Sequence, residues 1–210
     1  MKTLLDRPII YLITPGELTN SNFDSAASDL LETIAIAVEL KISAVQIREK
    51  RLSAKLQYEL AQRAAAITSG SSTLLLINDR ADVALAAGAN GVHLSRVSLP
   101  AKVVRESFPK DFVIGASTHS GEEMLVARDG GADFVVFGPV FKTSDKGEPI
   151  GLSSVEEASM LVPGFPVVGL GGIDAANCRS VIDAGAAGIA AIRALNDQES
   201  LKAIVKRFRR

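Results

Sequence analysis

The stretch Pro166-Val-Val-Gly-Leu-Gly-Gly-Ile173 combines a short apolar strand with an abrupt stop at glycine. Asp174 then opens a helical pattern that we expect to be a helix from Ala175 to Ala184. Glycine lets the backbone turn sharply and approach a ligand, because no Cβ stands in the way. A helix N-terminus adds unpaired N–H groups and a positive dipole end. The stretch therefore predicts a phosphate-binding turn, and the alternative is a tight connection that binds nothing.

The same alternation of apolar strand and amphipathic helix extends along the whole chain. Eight short apolar segments alternate with eight segments whose apolar residues recur at three and four. Because continuous apolar strands separated by helices are typical of a covered parallel sheet, we predict an α/β fold with one closed (β/α)8 TIM barrel over residues 1–210. The alternative is a doubly wound open sheet, which usually needs fewer units. The predicted strands are 8–14, 43–48, 73–77, 91–94, 112–117, 134–138, the stretch quoted above, and 188–192.

Composition narrows the possible partners of the protein. The 210 residues carry a net charge of −1, which argues against broad electrostatic capture of nucleic acid. The single cysteine, Cys178, excludes an intrachain disulfide and fits a reducing compartment. We see no signal-peptide pattern and no apolar run long enough to span a bilayer. We therefore expect a cytoplasmic protein that binds small molecules rather than membrane, with a homo-oligomer left open.

Polar residues follow most of the predicted strands, and in a barrel the carboxyl ends of the strands meet at one mouth. Cations, amide and hydroxyl donors and one carboxylate at this mouth would suit a multiply charged phosphate with a divalent cation. Taken singly, each residue has a simpler explanation, such as a solvated charge run, a helix cap or a loop histidine. The candidates in chain order are Gln46, Arg48, Lys50, Asn78, Asp79, Ser95 to Ser98, Ser117 to His119, Thr143 to Lys146, Gly171, Gly172, Ile192 and Arg193.

Six motifs in this set resemble thiamine-phosphate synthase and its relative, the thiazole tautomerase. The match covers nearly the whole chain in order, and this family is a (β/α)8 barrel. The motifs are Gln46-Ile-Arg-Glu-Lys50, Ile77-Asn-Asp-Arg80, Gly91-Val-His-Leu94, Gly115-Ala-Ser-Thr-His-Ser120, Gly138-Pro-Val-Phe141 with Thr143 and Lys146, and Gly169-Leu-Gly-Gly-Ile173.

The resemblance implies a transferase of thiamine biosynthesis, and it assigns roles to these residues. The synthase condenses an aminopyrimidine methyl pyrophosphate with a thiazole phosphate and releases pyrophosphate. By resemblance, Gln46 would hold the pyrimidine end and Asp79 would hold Mg²⁺. The pyrophosphate would be surrounded, and its departure assisted, by Arg48, Lys50, Asn78, Ser117 and Lys146. The thiazole phosphate would meet Thr143 and its loop, the Gly171–Gly172 turn, Ile192 and Arg193.

Three departures from the family pattern bear on this reading. Ser98 stands where the synthases usually carry an aspartate that also binds Mg²⁺, so we expect a weakened metal site. The usual Thr-x-Thr-Lys loop is Thr143-Ser-Asp-Lys146, which places Asp145 near anions. Arg193 replaces a serine usual at the end of the eighth strand.

Two alternatives to the synthase stay open at this point. A thiazole tautomerase would transfer a proton without metal, and its acid–base histidine matches His119. Synthases often carry a histidine there too, so the complete pyrophosphate set, which a tautomerase has no reason to keep, favours the synthase. The third hypothesis is a non-catalytic barrel that binds a thiamine precursor, and the loss of the aspartate at Ser98 is its only support.

Overall fold

Eight parallel strands close into a barrel in sequence order, with the last strand pairing with the first. The computed structural model describes residues 8–143 and 147–208. The strands are β1 (Ile9–Ile13), β2 (Ala44–Ile47), β3 (Leu74–Asn78), β4 (Gly91–Leu94), β5 (Val113–Thr118), β6 (Phe134–Phe137), β7 (Val167–Leu170) and β8 (Gly188–Ala191). The predicted TIM barrel is therefore confirmed, and the open-sheet alternative is wrong.

Helices surround this barrel and follow the strands along the chain. They are α1 (Phe23–Glu39), α2 (Ala54–Thr68), α3 (Ala81–Ala87), α4 (Ala101–Ser107), α5 (Gly121–Asp129), α6 (Gly151–Leu161), α7 (Cys178–Asp183), α8 (Arg193–Asn196) and α9 (Gln198–Phe208). Within residues 8–143 and 147–208, no helix is both long enough and apolar enough to cross a membrane.

Two apolar layers hold the barrel together, because successive strand residues point to opposite faces. Outward-facing residues such as Leu12 and Val45 pack in one large cluster with helical residues such as Ile34 and Leu60. Inward-facing residues form a second cluster that includes Ile9, Tyr11, Leu76, Phe134, Val136 and Val168. Both strand faces are thus buried, which explains why the strands are continuously apolar in the sequence.

The structure corrects the sequence reading in two places near the C-terminus. Helix α7 begins at Cys178 rather than Ala175, because Asp174 and Asn177 close a turn first. The Asp174 carboxylate accepts the backbone N–H of Ala176 at 2.8 Å and that of Asn177 at 3.2 Å. The second correction follows the strand predicted over residues 188–192, since β8 ends at Ala191 and the one-turn helix α8 begins at Arg193.

Candidate active site

Charged and polar side chains converge where β2, β3 and β4 reach the mouth of the barrel. The ammonium of Lys50 lies 3.6 Å from the Asp79 carboxylate. The side-chain amide of Asn78 donates to the same carboxylate at 2.6 Å. Arg48, Lys50 and Asp79 all lie close enough to the buried His93 to influence its pKa. The predicted anion-binding residues of these strands therefore share one region of the mouth.

Asp79 is held in place by its neighbours on the loop after β4. It adopts a φ of 60°, in the left-handed region that aspartate visits more readily than most residues. Its Oδ1 accepts the backbone N–H of Ser95 at 2.9 Å and the hydroxyl of Ser98. Burial, the largest single influence, acts to raise the pKa of Asp79, but hydrogen bonds from Ser98 and Ser95 and the charge of Lys50 bring it below its usual value. The carboxylate therefore stays ionised at neutral pH.

Position 98 lies directly against Asp79, as the metal-site hypothesis requires. The described residues hold no cluster of three His, Cys, Asp or Glu that could enclose a metal by itself. Mg²⁺, however, is commonly bound through one or two carboxylates and takes its other oxygen ligands from phosphate and water. Asp79 fits that pattern as a single anionic ligand, and the neutral Ser98 hydroxyl beside it is a weaker one.

Two polar pairs lie inside the barrel beneath this rim. Gln46 is 2% exposed and donates from Nε2 to the Tyr11 hydroxyl at 2.8 Å. Burial raises the pKa of Tyr11, so its hydroxyl stays protonated. His93 is also buried, and its Nε2 lies 2.9 Å from Ser117 Oγ. Burial lowers the pKa of His93 to about 3, with Asp79 opposing this shift and Arg48 and Lys50 adding to it, so the ring is neutral.

Glu49 is a buried carboxylate beside the site that the sequence analysis did not single out, because it lies inside an apparently solvated charge run. Glu49 is 3% exposed, and its carboxylate accepts three hydrogen bonds from the loop after β1. The donors are the Thr14 hydroxyl at 2.6 Å, the Gly16 N–H at 2.9 Å and the Leu18 N–H at 2.8 Å. Thr14 Oγ1 also accepts the backbone N–H of Arg48 at 2.8 Å. Glu49 thus ties this loop to the segment that carries Arg48.

We expect Glu49→Gln to lower the free energy of unfolding by about 1–3 kcal/mol, because its amide NH₂ must face at least one of three backbone or hydroxyl donors. Urea denaturation followed by circular dichroism measures this loss. The matched control is Glu17→Gln, which removes the same charge from an exposed position on the same loop and should change stability by less than about 0.5 kcal/mol. Equal stability of the two variants would contradict the role assigned to Glu49.

The glycine turn after β7 packs against the first part of the loop after β6. Gly171 and Gly172 have φ values of 107° and 64°, which favour glycine. A Cβ on Gly171 would lie 2.6 Å from Pro139, and one on Gly172 would lie 2.8 Å from the backbone oxygen of Lys142. Thr143 Oγ1 is buried, and within the part of the chain that the structure describes it has no hydrogen-bond partner. Gly171, Gly172 and the loop leading to Thr143 thus lie side by side, as the predicted thiazole-phosphate site requires.

The helix N-terminus expected behind this turn does not take part in it. The backbone N–H groups of Ala176 and Asn177 already donate to Asp174, so they are not available to an anion. This part of the predicted phosphate-binding turn is wrong, and the glycine backbone is what remains of it. Directly after β8, Ile192 packs against the inner apolar cluster, and Arg193 is exposed at the start of α8.

The remaining predicted site residues are His119, Lys146 and Ser117. His119 is exposed after β5, and its Nδ1–H donates to the Gly138 carbonyl at 3.0 Å. Lys146 and its neighbour Asp145 lie outside the described residues. Ser117 belongs to β5, in agreement with the strand predicted over residues 112–117.

Comparison with known proteins identifies the family. A sequence profile described as thiamine monophosphate synthase matches residues 10–195. The chain belongs to this family. The thiamine-phosphate synthase of Methanosarcina barkeri is 37% identical over 209 residues, which cover 98% of this chain and 91% of that protein. The corresponding protein of Clostridium novyi is 35% identical over 200 residues, covering 94% and 95% of the two chains.

Two further relatives and a solved structure support the assignment to this family. Proteins of Geobacter sulfurreducens and Aquifex aeolicus are 40% identical over 189 and 190 residues, or 89% and 90% of this chain and 85% and 97% of theirs. The structure of thiamine phosphate pyrophosphorylase from Pyrococcus furiosus superposes with a TM-score of 0.81 at 32% identity and covers 98% of both chains. The protein is thus an enzyme of thiamine biosynthesis, and the comparisons do not favour the tautomerase or the non-catalytic barrel.

Proposed function

We propose that this protein condenses an aminopyrimidine methyl pyrophosphate with a thiazole phosphate to give thiamine phosphate and pyrophosphate. Membership of the synthase family supports the proposal. The observation that carries it is the convergence of Lys50 and Asn78 on Asp79 at the barrel mouth, with Arg48 near the same buried His93. A site built to transfer one proton has no need of two cations, an amide donor and a carboxylate in one region of the mouth. The substrates are small phosphorylated molecules, and a cytoplasmic location is part of the proposal.

The reaction needs an environment that stabilises a departing anion. The C–O bond between the pyrimidine methyl group and pyrophosphate breaks, and both bonding electrons leave with the pyrophosphate. In our proposal Arg48 and Lys50 stabilise this developing charge, and Asn78, Ser117 and Lys146 add donors. Bound through Asp79, Mg²⁺ would neutralise further charge on the pyrophosphate.

The remaining residues position the pyrimidine and the thiazole substrates. Gln46, fixed by its hydrogen bond to Tyr11, holds the pyrimidine end at the inner wall of the barrel. The Gly171–Gly172 turn and Thr143 hold the thiazole phosphate, with Ile192 and Arg193 beside it. Held at contact distance, the thiazole nitrogen attacks the methylene carbon and forms the new C–N bond. In this scheme the protein supplies no nucleophile.

The direct test is an assay of the purified protein with both synthase substrates and Mg²⁺, in which thiamine phosphate and pyrophosphate are measured together. We expect the two products in equal amounts. The tautomerase substrate is run in parallel with wild type and with His119→Ala. Proton transfer without metal that is lost in His119→Ala, with no thiamine phosphate from either protein, would overturn the proposal.

We expect Ser98→Asp to lower the Mg²⁺ concentration needed for half-maximal turnover, because it adds a second hard anionic ligand beside Asp79. A several-fold decrease is the expected size of the effect. Calorimetric titration of Mg²⁺ into the protein with pyrophosphate gives a readout that does not depend on turnover. Ser98→Asn is the matched control, since asparagine has nearly the same shape as aspartate but carries no charge. Equal Mg²⁺ affinity in Ser98→Asp and Ser98→Asn would contradict a metal site at these two positions.

A further inference from the structure

A buried imidazole lies beneath the mouth and contacts one of the proposed pyrophosphate-binding residues. His93 sits on β4 with its ring inside the barrel, where it packs against Tyr11 and Phe134 at centroid distances of 5.7 and 6.0 Å. Its Nε2 lies 2.9 Å from Ser117 Oγ on the neighbouring strand β5. The question is which of the two groups donates in this hydrogen bond.

The surroundings of Nδ1, the other ring nitrogen of His93, show which group donates. Nδ1 of His93 is buried and has no hydrogen-bond partner among the described residues. It faces the Cα of Gly115 and the Phe134 ring, since a Cβ on Gly115 would lie 2.7 Å from Nδ1 and 2.5 Å from Phe134 Cζ. A proton on Nδ1 would therefore be a buried N–H donor without an acceptor, which native structures rarely contain. The proton must be on Nε2, which then donates to Ser117 Oγ.

We propose that His93 is a positioning residue that makes Ser117 a hydrogen-bond donor to the anionic substrate. A serine hydroxyl has one hydrogen and two lone pairs. Because His93 donates to one lone pair, the Ser117 hydrogen has to point elsewhere. Ser117 is half-buried at the mouth, and Arg48 and Lys50 lie near the same imidazole. The phosphate oxygens that these cations attract are the acceptors available to the Ser117 hydrogen. This inference rests on the proposed function, which places a pyrophosphate at the mouth.

The position of the proton on His93 can be measured directly by NMR on ¹⁵N-histidine-labelled protein. The chain has only two histidines, and His119→Gln leaves His93 as the single signal. Long-range ¹H–¹⁵N correlations distinguish a protonated Nε2 from a protonated Nδ1. We expect the proton on Nε2. A proton on Nδ1 would overturn the inference. Nε2 would then accept the hydrogen of the Ser117 hydroxyl, and this hydrogen would not be free to bond the substrate.

The action of His93 through Ser117 is tested by a double-mutant cycle with inorganic pyrophosphate as the probe and calorimetry as the measurement. Ser117→Ala should weaken pyrophosphate binding by about tenfold or more, the loss of one hydrogen bond to a charged group. His93→Phe keeps a ring in the aromatic cluster but removes the donor, so it should cause a similar loss in wild type and none in Ser117→Ala. If His93→Phe reduced pyrophosphate affinity equally in wild type and in Ser117→Ala, its role would be merely structural and the inference would be overturned. The inference would also be overturned if the wild-type protein did not bind pyrophosphate.

Two amide variants give a matched comparison at position 93. His93→Gln can place an N–H donor near the position of the imidazole Nε2, so it should restore most of the pyrophosphate affinity. His93→Asn carries the same amide on a shorter side chain and should not restore it. Thermal unfolding confirms that each variant is folded before it is titrated. If His93→Asn bound pyrophosphate as tightly as His93→Gln, the result would contradict a required donor at the Nε2 position.

Failure of this inference and failure of the proposed function give different results. Neither measurement depends on the formation of thiamine phosphate. Coupling between His93 and Ser117 in a protein that makes no thiamine phosphate would contradict the proposed function alone. Additive losses in a protein that does make thiamine phosphate would contradict the role of His93 alone.

Discussion

Replacing Arg48 by alanine is expected to lower kcat by about ten- to a hundredfold, with a smaller change in KM. A hydrogen bond from a charged donor contributes roughly 1.5–3 kcal/mol, and each 1.36 kcal/mol corresponds to a factor of ten in rate. The guanidinium should contribute most when the C–O bond breaks, because charge on the pyrophosphate is greatest then. The structure supports this placement, since Arg48 follows β2 at the mouth and its Nη1 lies beside Gly16 of the loop after β1.

Steady-state kinetics with both substrates measures this loss. The matched control is Arg63→Ala, which removes the same charge from an exposed position on α2 and should leave kcat within about twofold of wild type, because isolated surface charges act weakly at a distance in salt. An increase in KM with kcat unchanged would mean that Arg48 binds substrate and transition state equally well. That result would contradict its assigned role in the departure of pyrophosphate.

Gly188→Ala is expected to destabilise the barrel by about 2–4 kcal/mol, because it forces apart the two strands that close it. Gly188 begins β8 and pairs with Ile9 of β1. A Cβ at this position would lie 2.3 Å from the backbone oxygen and 2.4 Å from the Cβ of Ile9. Neither atom is the end of a flexible side chain, so the backbone itself has to shift. The adjacent hydrogen bond from Ile9 N–H to the Ala187 carbonyl, 2.9 Å long, would be strained by that shift.

The loss of stability is measured by the urea midpoint of unfolding. Gly147→Ala is the control, because a Cβ there would meet none of the described atoms within 4 Å. It should shift the free energy of unfolding by less than about 0.5 kcal/mol. If Gly188→Ala unfolds at the same urea concentration as Gly147→Ala, the closure of the barrel does not depend on glycine at this position.

The family motifs and the repeated pattern of strand and helix were enough to predict the barrel and the position of its mouth. Both signals are local, since the apolar periodicity depends only on residues a few positions apart. The rule that parallel strands present their carboxyl ends together then places the residues after β2, β3 and β4 in one region. Near the C-terminus this local reading failed, because Asp174 and Asn177 satisfy the backbone in a turn where a helix was expected.

Most of the contacts that tune the site depend on the register between neighbouring strands and loops, which the sequence pattern does not reveal. Glu49 reaches Thr14 across 35 residues, and His93 reaches Ser117 across 24. Ser98 contacts Asp79 across 19 residues, which a comparison of motifs could suggest but not demonstrate. The sequence by itself determined the fold, the family and the chemical character of the mouth, because these follow from local patterns and residue types. Only the tertiary structure decided which of these groups are buried, paired and oriented, because burial and hydrogen bonding depend on neighbours that are distant in the chain.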